Sequence, residues 1–220
     1  MIILHHLNNS RSQRILWLLE ELKIPYEIKH YLRDSQSMLA PPTLKAIHPL
    51  GKSPIITDGD ITIAESGAII QYLVGVTETD LLPKAGTDEY RQFTYWMHFA
   101  EGTLMTQLLI KMMFDKVKSS PMPFFVKPIA KLIADKAIDA YAGPNIMTNL
   151  EFIDGHLQQN DWFCGDKLTG ADFQMSFPLE TVIAREGGVK YSAINQFVKK
   201  VQARPAYQQA LKAGGHYDFA

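Results

Sequence analysis

Apolar and polar positions follow two different rhythms along this chain, and the change comes near residue 88. Before it, short apolar runs bounded by turn residues alternate with helical repeats. Ile2-Ile3-Leu4-His5-His6-Leu7 reads as a strand and Asn8-Asn9-Ser10 as a polar turn. Ile15, Leu18, Leu19 and Leu22 then recur at helical spacing. Pro25 closes that segment, and Tyr26 to Tyr31 alternates as a half-buried strand does. Strand, helix and strand within about thirty residues make a parallel βαβ unit.

A Pro41-Pro42 loop leads to a short helical piece near Thr43 to Ile47. Two strands, Pro54 to Thr57 and Ile61 to Ile63, are joined by the hairpin turn Asp58-Gly59-Asp60, and a helix from Ser66 to about Val74 follows. The order β-α-β-(α)-β-β-α is that of a small thioredoxin-like domain, expected over 1–80. Past the Thr77 to Thr87 loop the strand pattern gives out. Helices are expected at Glu89–Lys118, Ile129–Leu157, Ala171–Arg185 and Ile194–Lys212, an all-helical domain over 88–220. The fold class is therefore α/β followed by all-α. Thr169-Gly170-Ala171-Asp172 matches a helix-capping pattern, and Pro178 is expected to bend or break the helix it starts.

Composition narrows the function. The 220 residues are 46% hydrophobic and 20% charged, with a formal net charge of −1. That balance disfavours capture of nucleic acid or of an anionic membrane surface, so neither is expected as a partner. A single cysteine, Cys164, excludes an intramolecular disulfide, a CxxC pair and a thiolate zinc cluster, and it reads as a semi-buried structural side chain. His5 and His6 point to opposite faces of one strand and cannot share a metal, so no metal is expected. The first residues lack the basic start and cleavage site of a secretory signal, which makes a cytoplasmic location the expectation. Trp17, Trp96 and Trp162 read as core or interface anchors.

Candidate chemistry lies in two neighbouring stretches. Ser53-Pro54 enters a strand, and Glu65-Ser66 opens a helix whose free N–H groups and dipole favour a carboxylate. A peptide edge beside an anion-holding helix start is a cradle for a small peptide.

Three motifs, in this order and at these distances, resemble the cytosolic glutathione transferase superfamily. They are Ser10 with Arg14 and the helix that follows, His48-Pro49-Leu50-Gly51-Lys52-Ser53-Pro54 leading into Glu65-Ser66, and the segment from Phe163 to Asp172. The resemblance spans nearly the whole chain and is greatest to a fungal and bacterial branch. It implies glutathione as co-substrate, with Ser53-Pro54 pairing with its cysteinyl backbone, Glu65 and Ser66 holding the γ-glutamyl amine and carboxylate, and Lys52 near the glycyl carboxylate. A free thiol of pKa about 8.5 is mostly protonated at neutral pH, so the sulfur must be stabilised as an anion. Ser10 is the expected donor to sulfur, with Asn9 its alternative, Ser12 a further hydroxyl, and Arg14 a brace of the loop through a carboxylate. Met105, Leu108 and Met112, with Phe99, Leu104, Met113 and Phe114 nearby, are candidates for a hydrophobic electrophile's site. The resemblance further implies a homodimer, and the same activated thiolate makes reduction of organic hydroperoxides a companion expectation. A glutathione-dependent disulfide reductase and a non-catalytic interaction protein are the alternatives.

Overall fold

The computed structural model describes residues 1–186 and 190–220. Four strands form one mixed sheet in the order β2-β1-β3-β4. Strand β1 (Ile2–Leu7) pairs in parallel with β2 (Tyr26–Tyr31), Leu4 opposite Ile28, through helix α1 (Ser12–Leu22). Strand β3 (Ile55–Asp58) returns antiparallel to β1, and β4 (Ile61–Ala64) closes the hairpin. The central strands are buried because α1 and α2 (Ser66–Val76) supply apolar side chains such as Leu16, Leu19, Ile69 and Leu73 to their core. Edge strand β2 alternates between exposed and partly buried positions, as its sequence pattern requires.

Helices α3 (Asp88–Phe99) and α4 (Met105–Ser119) form one long rod, joined by a wide π-type turn over Ala100–Leu104. A second rod repeats the device: α5 (Lys127–Ala137), a wide turn at Ile138–Ala142, and α6 (Gly143–Leu157). Helix α7 is Gly170–Glu186, α8 Ser192–Gln202 and α9 Pro205–Gly214. The single helix expected from Ile194 to Lys212 is therefore two. Pro205 has no N–H to donate and drives Arg204 into extended geometry (φ −68°, ψ 136°), which ends α8.

Helix α7 runs through Pro178 without stopping, and the reason is tertiary. A proline leaves the carbonyl four residues earlier without its helical donor. That carbonyl belongs to Gln174, and it accepts a hydrogen bond from Arg14 Nη1 at 2.6 Å. A guanidinium from α1 thus replaces the N–H that Pro178 lacks. The two halves also share one apolar core. Trp17 of α1 lies 4.0 Å, centroid to centroid, from Phe173 of α7 and meets Tyr207 of α9 edge-on. Fully burying side chains of this size stabilises the fold by about 2–3 kcal/mol each.

The chain's last residues form a strap across the first loop. Gly214 permits it: a Cβ there would meet Gln13 Oε1 at 2.7 Å and Leu16 Cδ1 at 2.8 Å. Tyr217 is buried with Met105 and Phe177, and its hydroxyl donates to Glu180 at 2.8 Å. Among the described residues, no helix is long and apolar enough to cross a membrane.

Candidate active site

A cleft of about 250 Å³ opens between the sheet and the α3–α4 rod. One wall is Leu50, Lys52, Ser53 and Pro54 with Ala64, Glu65 and Ser66; the other is Arg11, Glu101 and Leu109. A wider recess of about 460 Å³ lies among Gln158, Gln159, Asn160, Asp161 and Gln196, remote from these residues. It joins neither the helix start nor the peptide edge, and the smaller cleft joins both.

The first wall is made by backbone. The Ser53–Pro54 peptide is cis, and the Ser53 hydroxyl donates to His5 O (2.9 Å) and accepts from Leu7 N (3.2 Å), which pins the turn to β1. Glu65 precedes α2 with φ +73°, a left-handed conformation uncommon for a residue with a side chain. Ser66 therefore opens the helix, and the first backbone bond of α2 runs from Ile69 N to Glu65 O. The N–H groups of Ser66, Gly67 and Ala68 precede that bond and supply the anion-favouring end of the dipole. Glu65 and Lys52 are exposed, whereas Ser66 is buried.

The second wall is an ion-pair relay. Arg14 is buried; besides Gln174 O it holds Glu101 Oε1 at 2.5 Å through Nη2. Glu101 in turn takes Arg11 Nε (3.0 Å) and Nη2 (3.1 Å) in a two-pronged pair. Burial pushes the Glu101 carboxyl up, but Arg14 and Arg11 together hold it below the usual carboxylate range. The expected bracing role of Arg14 has its carboxylate in Glu101. The Arg11 Cζ also lies 5.1 Å from the Phe177 ring centroid.

Within the first loop the side chains turn inward. Ser10 is buried; its hydroxyl donates to Leu7 O at 2.7 Å, accepts from Ser12 N at 3.2 Å and lies 2.8 Å from Ser12 Oγ. Ser12 Oγ continues to His6 Nδ1 at 2.9 Å. Burial, with the nearby His30 ring, pushes the His6 imidazole down to about 4, so it is neutral near pH 7. Asn9, at φ +46°, grips the strap: Nδ2 donates to Asp218 Oδ2 (2.8 Å) and Oδ1 accepts from Asp218 N (2.9 Å).

Comparison with known proteins decides the family. The model of the glutathione S-transferase N-terminal domain matches residues 1–75, and that of the C-terminal domain residues 118–205. Glutathione S-transferase 3 of Schizosaccharomyces pombe is 38% identical over 96% of this chain and 87% of its own. Glutathione S-transferase 1 of Saccharomyces cerevisiae is 36% identical over 94% and 92%. The chain belongs to the glutathione S-transferase family. A solved glutathione S-transferase from Actinobacillus pleuropneumoniae shares 33% identity and a TM-score of 0.83, covering 100% of this chain and 95% of that one.

In the transferase Lys52, Ser53, Pro54, Glu65 and Ser66 lie along one cleft wall. Among the expected electrophile contacts, Met105 is buried with Phe177 and Tyr217 under the strap, Leu108 packs partly buried against the same cluster, and Met112 is more exposed. Leu109, their helical neighbour, is the residue that lines the cleft. Cys164 is buried, its thiol pushed up to about 12 chiefly by that burial, and Thr169 Oγ1 donates to its sulfur at 3.2 Å. Asp172 reaches back to Thr169 N (2.7 Å) and to Phe163 N (2.9 Å), so the motif around it caps α7. Arg11 and Glu101 had no local signal, because a lone arginine in a turn and a glutamate in a long helix look like surface residues. The one available hint was Pro178, whose freed carbonyl required a buried donor.

Proposed function

We propose that this transferase clamps glutathione in the cleft between Ser53-Pro54 and Glu65-Ser66 and adds its thiolate to hydrophobic electrophiles. The observation that carries the reading is the convergence of a pinned peptide edge and the open start of α2 on one cleft. In this reading the cysteinyl backbone pairs with the Ser53 main chain as an added strand. The γ-glutamyl carboxylate takes the Ser66 hydroxyl and the N–H groups of α2, its ammonium faces Glu65, and Lys52 reaches the glycyl carboxylate. The sulfur then points toward the opposite wall, beside the first loop that carries Asn9 and Ser10. Leu50 and Leu109 give the electrophile an apolar approach. Reduction of organic hydroperoxides by the same thiolate is the companion activity.

The buried Cys164 favours conjugation over disulfide exchange through a protein thiol. A homodimer belongs to the same proposal, and the exposed apolar side chains Phe124, Phe125, Ile129 and Ile133 are surface that a second copy would cover. Calorimetric titration with glutathione, followed by turnover of a chloro-dinitrobenzene, tests the reading. Saturable binding with conjugate formation is expected, and an absence of both overturns it.

A further inference from the structure

We propose that the Arg11 guanidinium, rather than the Ser10 hydroxyl, is the group that contacts and stabilises the thiolate. The inference rests on the glutathione reading above and names the residue that makes it work. It begins with what each first-loop side chain has left to give. The Ser10 hydroxyl donates to Leu7 O, and its own oxygen accepts the Ser12 N–H and lies 2.8 Å from Ser12 Oγ, so it is spent on holding the loop against β1. Asn9 spends both ends of its amide on Asp218.

Arg11, next in sequence, lines the cleft. A guanidinium offers five N–H donors in a rigid fork. Glu101 occupies Nε and Nη2, and among the described residues Nη1 has no hydrogen-bond partner. The Phe177 face and the Glu101 carboxylate fix the plane of the fork, so that donor is already oriented.

Local charge points the same way. Arg33 donates to the carbonyls of Asn8 and Asn9, close enough to feel the charge of Arg11. Arg11, Arg14 and Arg33 gather at this loop against Glu101 and Asp218, with Glu180 acting on Arg14 from α7 and the opposite charges of Glu65 and Lys52 on the other wall. The fork of Arg11 is the cation of this group that lines the cleft, and a cation beside a bound sulfur favours the thiolate over the thiol. The balance of the step is simple. The bound thiol releases its proton to solvent, the sulfur lone pair forms the bond to the electrophilic carbon, and the leaving group departs with its electron pair.

The test compares Arg11→Gln, Arg11→Lys and Ser10→Ala by three readouts: the thiolate absorbance of bound glutathione against pH, the pH profile of kcat, and calorimetric affinity for S-methylglutathione, which cannot ionise. Arg11→Gln is expected to raise the bound thiol pKa by about one unit or more, roughly a tenfold loss of thiolate at neutral pH. Its S-methylglutathione affinity should stay within about twofold of wild type, and Arg11→Lys should recover part of the shift. Ser10→Ala should lower the melting temperature and leave the bound thiol pKa in place. An unmoved pKa in Arg11→Gln with S-methylglutathione still bound overturns the assignment alone, as does a shift in Ser10→Ala equal to that in Arg11→Gln. Failure of wild type to bind either tripeptide overturns the glutathione reading itself.

Discussion

The two walls of the cleft are built in different ways. On the Ser53–Ser66 wall, strand and helix ends present their own main chain, and each part is fixed by neighbours a few residues away or by the adjacent strand. On the Arg11–Glu101 wall, side chains do the work, and the partners of Arg11 and Arg14 lie 87 to 160 residues distant. A main-chain site is legible in local sequence because turn and helix-start chemistry declare it. A side-chain site is not, because which polar group faces the cleft depends on which others find partners elsewhere.

Substitutions on the second wall should therefore cost fold stability, and those on the first should cost ligand affinity. The largest effect is expected at Glu101. Glu101→Ala leaves the buried Arg14 guanidinium without its carboxylate, which should destabilise the protein by about 4 kcal/mol in urea unfolding. A loss under about 1 kcal/mol would mean that Gln174 O alone holds Arg14, and the contrast between walls would weaken.

His6 gives the next effect, through pH. Its folded-state imidazole titrates near 4 against 6.5 for the free group, so the neutral form is the one that fits beside Ser12. The resulting stability is complete above pH 6.5 and is lost as pH falls through about 4. That loss is on the order of 3 kcal/mol, and His6→Gln should flatten it in urea melts across this range. An unchanged acid profile would remove His6 from the account.

Ser66→Ala sharpens the comparison from the other side. It should weaken glutathione binding by roughly tenfold in calorimetry, with little change in melting temperature. Asn9→Gly tests the strap. Glycine accepts the positive φ, so only the Asp218 grip is lost, about 1 kcal/mol of stability with glutathione affinity unaltered. The smallest effect is expected at the exposed Lys52, where Lys52→Ala should raise the KM for glutathione by only about twofold to threefold.

Much of the architecture was readable before any coordinates. The alternation at Tyr26–Tyr31, the Asp58-Gly59 hairpin and the helix beginning at Ser66 all lie where their local patterns place them. Pro205 splits a helix that apolar periodicity alone would join, and Pro178 fails to split one. The two prolines differ only in their surroundings. Arg204 ahead of Pro205 takes up extended geometry, whereas the carbonyl freed by Pro178 meets a buried guanidinium. In the site, Ser53-Pro54 and Glu65-Ser66 were legible as a pair, while Arg11 and Glu101 were not.

The sequence by itself determined the thioredoxin-like start, the helical remainder and the turn and helix start that carry Ser53-Pro54 and Glu65-Ser66, because these follow from periodicity, turn residues and helix-start chemistry acting over a few residues. Tertiary structure alone decided which first-loop side chain faces the cleft. Buried polar groups must find partners, and Leu7, Asp218 and Glu101 distribute Ser10, Asn9 and Arg11 among roles that no local pattern encodes.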